Sequence, residues 1–307
     1  MGKIVTVTFN PTIDKSTTVS SLVPEKKLRC SEPVFEPGGG GLNVSRAIKK
    51  IGGESLAIFT AGRHSGHFLQ ELVQKEGVSF KAIEINDYTR ENLIVVDKSN
   101  NQQYRFGMPG PEVSEEEWQA CLDLLEHEEG IDFIVASGSL PQGVPTDIYG
   151  RIAAIAAKKG SKLIVDTSGE ALKHAVNEGV YLLKPNLGEL SFLAGKEEIH
   201  AESVEDVARS VIEQGKCDVI VVSMGPSGAI LVTKDETLHV VPPTVRKRST
   251  VGAGDSMVAG IVFSLSQGGT MYEALRMGVA CGTAATMNPG TELCKKEDVD
   301  KLLRLIK

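Results

Sequence analysis

The second half of the chain alternates regularly between short apolar runs, polar loops and stretches with helical spacing. The apolar runs comprise residues 133–136, 163–166, 181–184 and 219–223, and polar loops rich in Gly, Ser, Pro or Asn follow them. This order predicts an α/β fold with a doubly wound, mostly parallel sheet flanked by helices, because right-handed crossovers return successive strands to one sheet. The loops then share the carboxyl edge of the sheet, where such proteins bind ligands.

The rest of the main sheet follows from similar patterns. Residues 4–9 form a β-rich run that ends in Asn10-Pro-Thr-Ile-Asp14, and residues 229–233 follow a tight Gly-Pro-Ser-Gly turn, which predicts an edge hairpin. An amphipathic helix is expected to end at Ile51, before two glycines. Further helices are predicted over residues 204–214, 257–266, 272–285 and 297–305.

Four strand-like pieces interrupt this alternation in two places, within residues 15–37 and 91–108. They comprise residues 16–19, 29–35, 92–96 and 103–106. We interpret them as a small separate β-sheet inserted into a single domain of residues 1–307. Because such a sheet has exposed edges, it is expected to act as a lid over a ligand or to pair with a second subunit.

Composition excludes several classes of function. The net charge is −7 without a long Lys/Arg run, which argues against nucleic acid as the main partner. No apolar run reaches the ~18 residues of a membrane span, and no secretory signal is apparent. Five scattered cysteines predict a reduced, cytoplasmic chain without a disulfide framework. His64 and His67, in an apparent Gly/Ser-rich loop, are interpreted as solvated.

The segment from Ser249 to Ser256 combines a glycine-rich turn with a carboxylate. Gly252 and Gly254 precede a strongly helical run, and Asp255 lies at the junction. Glycines allow backbone N–H groups to converge on an anion at a helix N-terminus. An aspartate beside such a turn suits a base in phosphoryl transfer. The alternative is an ordinary helix start, with Asp255 favourable to the helix dipole.

Polar residues after the predicted strand 181–184 suit a nucleotide and its magnesium ion. Lys184 ends a buried strand, where an ammonium needs a partner such as a phosphate; a structural salt bridge is the alternative. Asn186 and Glu189 lie one helical turn apart and could order a hydrated Mg²⁺, or could simply cap the helix. Neither a Walker sequence nor Gly-x-Gly-x-x-Gly after a strand is present.

A second glycine-rich segment and several cations predict a site for an anionic substrate. Four consecutive glycines, Gly38 to Gly41, indicate a hinge and a close backbone approach to a ligand that Asn43 would face. Asp14 could bind a polyol or belong to a turn. Cations on the lid segments could clamp a phosphate, although each alone is more typical of a solvated charge. They are Lys27, Arg29, Arg90 and Arg105.

These motifs together resemble those of the ribokinase-like (PfkB-type) carbohydrate kinases over essentially the whole chain. The segment Gly38 to Asn43 is similar to the N-terminal signature of the family, and Thr250 to Asp255 is similar to its C-terminal signature. Asn186-x-x-Glu189 matches its magnesium-associated motif. The resemblance implies a ribokinase-like fold, ATP as phosphoryl donor and Mg²⁺ as its companion ion.

Within the family, three features resemble the branch that phosphorylates sugar phosphates. These are Asn-Pro-Thr-Ile-Asp14, Ser-Gly-Ser-Leu-Pro141 and Arg90. Fructose-1-phosphate and tagatose-6-phosphate kinases usually carry a lysine among the glycines, whereas this chain has Gly38-Gly-Gly-Gly41. The resemblance therefore implies phosphorylation of the 1-hydroxyl of fructose 6-phosphate. Those two kinase activities, and a non-catalytic sugar-phosphate sensor, are the alternatives.

The resemblance also implies roles for individual residues. Asp255 would be the base, and the amides of Gly252, Ala253 and Gly254 would stabilise the transferring phosphoryl group. Lys184 would contact ATP phosphates, and Asn186 and Glu189 would order Mg²⁺ through water. The nucleotide would also contact Ser223, Gly225 and Gly228. The sugar would be held by Asp14, Gly39 and Asn43, and its phosphate by Arg90, Ser139, Lys27, Arg29 and Arg105.

One departure from the family concerns a monovalent cation. Ser249 stands where the family usually has an aspartate that helps to hold K⁺. The implied K⁺ shell comprises Ser249, Val251, Ala285, Asn288, Gly290 and Glu292. The resemblance further implies a homodimer through the lid sheets, in which Lys27 or Arg29 serves the neighbouring site.

Overall fold

The computed structural model describes residues 2–215 and 217–306. Thirteen strands lie within them: β1 Lys3–Thr8, β2 Thr12–Val19, β3 Val34–Gly38, β4 Leu56–Gly62, β5 Ser79–Ile85, β6 Arg90–Asp97, β7 Gln102–Phe106, β8 Ile131–Ser137, β9 Lys162–Asp166, β10 Val180–Leu183, β11 Cys217–Ser223, β12 Ala229–Val232 and β13 Thr237–Val240.

The α-helices in the same residues are α1 Gly40–Lys50, α2 Arg63–Lys75, α3 Glu115–His127, α4 Ile148–Lys159, α5 Gly169–Glu178, α6 Leu187–Leu193, α7 Val204–Gln214, α8 Ala253–Ser266, α9 Met271–Thr286 and α10 Lys296–Leu305. Local hydrogen bonds explain where some of these helices begin. The α9 helix begins with a capping box between Thr270 and Glu273, which satisfies N–H groups that the helix leaves free. None of the described helices has the length and apolar character needed to cross a bilayer.

Nine strands form the main sheet in the order β13-β12-β11-β10-β9-β8-β1-β4-β5. All neighbours pair in parallel except β11–β12 and β12–β13, which are antiparallel. The predicted edge hairpin and the predicted doubly wound parallel sheet are therefore confirmed. The carboxyl ends of β1, β8, β9, β10 and β11 lie side by side, so their following loops meet at one edge.

Helices cover both faces of this sheet. On one face, Trp118 of α3, Ile152 of α4 and Leu172 of α5 pack in the larger apolar cluster. On the other, Ile48 of α1 and Val262 of α8 belong to a second cluster that also contains residues of α9 and α10. A sheet buried on both faces explains why its strands are continuous apolar runs rather than alternating patterns.

A separate four-stranded sheet, the lid, has the order β3-β2-β6-β7. The β2 and β6 strands pair in parallel, and both outer pairs are antiparallel. Both predicted insertions thus contribute two strands to it. The β3 strand begins at Val34 rather than near residue 29, directly after Pro33, which has no N–H to donate to a ladder.

Two local predictions were wrong in detail. His64 and His67 are exposed, but they lie on α2 rather than in a loop. The α8 helix begins at Ala253 instead of residue 257, so Asp255 belongs to its first turn. The earlier start follows from Gly252, whose φ of 71° ends the preceding turn in the left-handed conformation that glycine adopts readily.

Candidate active site

The glycine turn before α8 places Asp255 beside a buried lysine. A Cβ built on Gly254 would lie 3.5 Å from Nζ of Lys184, so the ammonium faces this turn. A Cβ on Gly252 would come within 2.5 Å of Leu293. The backbone N–H groups at the start of α8 and the Lys184 ammonium thus converge on one small space. Such an arrangement binds anions, because helix N-termini carry partial positive charge.

Lys184 lies directly after β10 and is almost fully buried. Its Nζ atom forms a salt bridge of 3.2 Å with Oδ1 of Asp166, at the end of β9. Burial opposes the charge of Lys184, but Asp166, Glu189 and Asp255 together raise its pKa, so the group stays cationic. The structural salt bridge considered from the sequence is present. Asp166 was missed as a site residue, although it stands at the end of a predicted strand.

Asp255 has the properties of a general base. Its Oδ2 atom accepts a hydrogen bond of 2.9 Å from Nδ2 of Asn43. Burial, followed by the Asp166 charge, raises the pKa of Asp255 to about 6, while Asn43, Lys184 and Arg46 oppose that rise. A carboxylate with a pKa near the working pH transfers protons effectively.

The four glycines bring α1 close to the ends of β1 and β8. Gly39 has a φ of 111°, and a Cβ on Gly41 would lie 2.6 Å from the carbonyl oxygen of Val7. A Cβ on Gly40 would collide with Ser137 and Gly138. The close approach at the start of α1 is thus to the protein's own strands, and the predicted hinge and approach to a ligand stay predictions.

Asp14 is held in place on the lid strand β2. Its Oδ1 atom accepts a 3.0 Å hydrogen bond from Nδ2 of Asn92, and Oδ1 of Asn92 accepts the N–H of Met108 at 3.0 Å. A Cβ on Gly38 would lie 2.6 Å from Oδ2 of Asp14, so a glycine at this position leaves the space that the carboxylate occupies. Burial is the main cause that raises the pKa of Asp14.

Arg90, Asn10 and Ser139 form a polar cluster at the end of β1. Nη2 of Arg90 donates to the carbonyl oxygen of Asn10 at 2.9 Å, and Nδ2 of Asn10 donates to Oγ of Ser139 at 3.1 Å. Burial lowers the pKa of Arg90, and the charge of Asp14 offsets part of that effect. Asn10 thus links Arg90 to Ser139, and their predicted contact with a substrate phosphate stays a prediction.

Three buried atoms in this region have no hydrogen-bond partner in the described part of the chain: Thr8 Oγ1, Asn10 Oδ1 and Arg90 Nε. Buried polar atoms are rarely left unsatisfied in proteins. Asn10 Oδ1 and Arg90 Nε belong to the Arg90 cluster and are consistent with a polar ligand there, whereas Thr8 Oγ1 lies next to Gly41 at the start of α1. Thr8 and Asn10 were not predicted as site residues, although both lie at the carboxyl end of a predicted strand.

The remaining lid cations do not join this cluster. Lys27, Arg29 and Arg105 are exposed. Within residues 2–215 and 217–306, no ion pair connects them to the Arg90 cluster. Their predicted contact with a substrate phosphate stays a prediction.

A cavity of about 470 Å³ opens on the other side of the glycine turn. The predicted nucleotide residues Ser223, Gly225 and Gly228 line it, together with Ala253 and Gly254. Further lining residues were missed, namely Thr244, Val245, Val279 and Thr283. The signal available in the sequence was the small-residue face of the helix that contains Gly282 and Thr283. The apolar lining of the cavity suits the adenine ring of a nucleotide. The cavity ends at the glycine turn before α8, which we call the anion turn.

Asn186 and Glu189 form the helix cap that was the alternative to a metal-ordering role. Oδ1 of Asn186 accepts the Glu189 N–H at 2.9 Å, and Oε2 of Glu189 accepts the Asn186 N–H at 2.8 Å. Burial is the first cause that raises the pKa of Glu189. Because the cap uses one carboxylate oxygen, the other can still bind a water molecule, so both roles are compatible.

The predicted K⁺ shell is partly assembled. Oγ of Ser249 donates to the carbonyl oxygen of Gly290 at 2.7 Å and accepts the N–H of Val251 at 3.2 Å. Nδ2 of Asn288 donates to the carbonyl oxygen of Leu293 at 3.0 Å. Glu292 instead forms a 2.7 Å ion pair with Lys295. The oxygen-rich loop suits a hard cation, provided that the Ser249 proton turns away from Gly290.

The sheet, the lid and a carboxylate beside an anion-binding turn together define a small-molecule phosphotransferase with a ribokinase-like fold. The family model described as "pfkB family carbohydrate kinase" matches residues 7–298. The chain belongs to this family.

The relatives agree with this assignment. The ATP-dependent 6-phosphofructokinase isozyme 2 of Escherichia coli is 44% identical over 98% of both chains. Crystal structures of E. coli phosphofructokinase-2 in complex with potassium and with fructose-6-phosphate superpose with TM-scores of 0.95 and 0.93, at 42% and 41% identity over 99% of each chain. The predicted family and fold are thereby confirmed.

Proposed function

We propose that the chain transfers a phosphoryl group from ATP to the 1-hydroxyl of D-fructose 6-phosphate, which gives fructose 1,6-bisphosphate. The main observation that supports this proposal is the position of Asp255. It contacts Asn43 on the side of the proposed sugar site, and it lies beside the glycine turn that Lys184 faces and that borders the nucleotide cavity. The similarity to the E. coli enzyme supports the choice of substrates. The same relatives favour this activity over a non-catalytic sensor.

In this proposal the residues divide into three groups. Asp255 accepts the hydroxyl proton while the turn from Gly252 to Gly254 and Lys184 stabilise charge on the moving phosphoryl group. Asp14 and Asn43 orient the sugar, and Arg90 with Ser139 bind its phosphate. Thr8 and Asn10 are included with them, since each carries a buried oxygen that has no hydrogen-bond partner among the described residues.

Metal ions would be held by two of the groups of residues described above. Asn186 and Glu189 would order Mg²⁺ that arrives with ATP, and that ion would neutralise phosphate charge. Ser249, Val251, Ala285, Asn288, Gly290 and Glu292 would hold K⁺ behind the anion turn. The potassium complex of the E. coli relative supports this second site.

The lid also supports a proposed homodimer within a single-domain protomer of residues 1–307. Val34 and Phe106 on its outer strands are 57% and 46% exposed. Pairing of two lids would cover these side chains and the free strand edges. It would also bring Lys27, Arg29 and Arg105 towards a neighbouring site.

A comparison of kcat/KM on three sugar phosphates tests the proposed activity. With ATP and Mg²⁺, fructose 6-phosphate should exceed fructose 1-phosphate and tagatose 6-phosphate. A preference for either of the other two would replace the proposal with the corresponding kinase. Binding of fructose 6-phosphate without ATP consumption would favour the sensor.

A further inference from the structure

A buried arginine on α1 connects the lid to the base. The Arg46 side chain is only 1% exposed, although a guanidinium is costly to bury unless all its donors are satisfied. Nε and Nη2 donate to the carboxylate of Glu76 at 3.0 and 2.6 Å. This bidentate pair anchors one side of Arg46.

The other donors of Arg46 reach two different parts of the site. Nη1 donates to Oδ1 of Asn43 at 3.0 Å and to the carbonyl oxygen of Pro37, while Nη2 also contacts Oε1 of Glu36 at 3.4 Å. Pro37 and Glu36 belong to the lid strand β3. All five N–H groups of the guanidinium are thus engaged, and three of the five bonds go beyond the ion pair with Glu76.

The contact with Asn43 determines which way the amide of that residue points. Because Oδ1 of Asn43 accepts from Arg46, its Nδ2 must face Asp255, to which it donates at 2.9 Å. The reversed amide would direct an oxygen at a carboxylate and an NH₂ group at a guanidinium. Arg46 therefore keeps Asn43 a donor to Oδ2 of Asp255, which leaves Oδ1 to face a substrate hydroxyl.

The lid end of this chain of contacts is next to the sugar site. In the β2–β3 ladder, Asp14 lies opposite Glu36. Glu36 also accepts a hydrogen bond from Oγ1 of Thr291, so its carboxylate is held from both sides. A displacement of β3 would therefore change the groups that fix Arg46.

We propose that Arg46 is a positioning residue that ties the orientation of Asp255, through Asn43, to the position of the lid strand beside the sugar site. The proposal rests on the proposed function. It adds that a correctly placed lid strand and a correctly oriented base are formed together. The three donors that Glu76 leaves free are satisfied by groups of the lid strand, Pro37 and Glu36, and by Asn43, which contacts Asp255.

The primary test is Arg46→Lys, with Arg276→Lys as the matched control. Lysine keeps the charge but lacks the planar fork, so it cannot hold Asn43 and β3 together. We expect kcat to fall on the order of 10- to 100-fold, the scale of a misplaced catalytic group, with the KM for ATP changed less.

Arg276 of α9 is a suitable control because it also connects two helical segments, through a 2.9 Å hydrogen bond to the carbonyl oxygen of Ile306 after α10, but it is not part of the proposed site. Its replacement should lower stability without lowering kcat.

A pH profile separates positioning from packing. Asp255 is faced by Asp166 of β9, by Lys184 after β10, and by Asn43 and Arg46 of α1. The Arg46 charge lowers the pKa of Asp255, so Arg46→Gln should move the acidic limb of kcat/KM to higher pH, whereas Arg46→Lys should leave it in place. A purely structural role would change the thermal midpoint and leave both kcat and the limb unchanged.

Glu36→Gln keeps the test decisive if the Arg46 variants do not fold. It removes the lid charge that contacts Arg46 and that also raises the pKa of Asp14, and we expect kcat to fall by roughly 3- to 10-fold through looser positioning. Native-like kcat and an unshifted acidic limb of kcat/KM in every folded variant would overturn the proposal.

A native chain inactive on fructose 6-phosphate would instead overturn the proposed function. In that case, amide hydrogen exchange without ligand tests whether Arg46 links the lid strand to Asp255. Arg46→Lys should accelerate exchange in residues 34–38 and 252–256 together. Unchanged exchange in residues 252–256 would refute this link.

Discussion

Nδ2 of Asn43 donates a hydrogen bond of 2.9 Å to Oδ2 of Asp255, across 212 positions of sequence. The contact joins the start of α1, which follows the lid, to the start of α8, which follows the anion turn. Gly40 and Gly41 at the start of α1 closely approach the backbone of β1 and β8, and Gly252, which precedes α8, closely approaches Leu293. Asp255, the proposed base, is therefore positioned where the two glycine-rich segments meet.

Asp255→Asn should remove the base while it keeps the shape of the side chain. General-base catalysis contributes typically ~10²–10⁴-fold, so kcat should fall by that factor. Asp298→Asn is the matched control, because Asp298 is also in the first turn of a helix but lies on α10. Steady-state rates of both variants check the assignment, and a near-native kcat for Asp255→Asn would contradict it.

The raised pKa of Asp255 predicts a pH dependence of activity. The ionised carboxylate is the active form of a base, so kcat/KM should rise with pH through a limb near the pKa of about 6. The limb should be absent from the residual activity of Asp255→Asn. A pH profile of the native chain that is flat between pH 5 and 7 would exclude Asp255 as the titrating base.

The same pKa predicts a cost in stability. An acid whose pKa is raised in the folded state favours folding below its unfolded pKa, near 3.8, and this contribution is lost as pH rises through about 6. At pH 8, Asp255→Asn should therefore be more stable than the native chain, on the order of 2 kcal/mol. Denaturant unfolding at pH 8 and pH 4 measures this, and the gain should shrink at pH 4.

The two glycines of the anion turn should respond differently to alanine. Gly254 lies in α8, and a Cβ there meets Lys184 Nζ at an ordinary 3.5 Å, so Gly254→Ala should fold with up to about 1 kcal/mol more helix stability. Its methyl group would occupy the anion space, and kcat should fall at least ~10-fold.

Gly252→Ala should instead destabilise the chain. Its φ of 71° and the 2.5 Å approach to Leu293 leave no room for a Cβ. Thermal unfolding and kcat of the two variants, measured side by side, distinguish these effects. Equal loss of stability in both would mean that Gly254 is also conformationally required.

Arg90→Ala should raise the KM for fructose 6-phosphate far more than the KM for ATP. Arg90 lies with Asn10 and Ser139, away from the nucleotide cavity, and loses a charge-assisted contact worth roughly 1.5–3 kcal/mol, or about 10- to 150-fold. Arg151→Ala, an exposed arginine on α4, is the control. Equal changes in both KM values would count against a phosphate role.

Sequence patterns were sufficient for most of the main sheet, although β4 and β5 were not predicted, and they indicated the residues that the proposed site contains. The continuous apolar runs and the polar residue after each, such as Lys184, indicated a parallel sheet and its binding edge. Glycine spacing around Gly252 and Gly38 indicated close approaches because only glycine tolerates them. Asp166 and Asn10 were missed, since a polar residue at a strand end reveals its role only when its neighbours in the sheet are known.

What the sequence determined by itself is local and periodic: the strands, the helices, the glycine turns and the chemical groups they carry. Only the tertiary structure decided which groups meet. The strand order brings Asp166 to within 3.2 Å of Lys184, and packing of α1 against the start of α8 directs Asn43 at Asp255. Burial then raises the pKa of Asp255 and requires all five donors of Arg46 to be paired. Desolvation depends on every surrounding element at once, which no single stretch of sequence specifies.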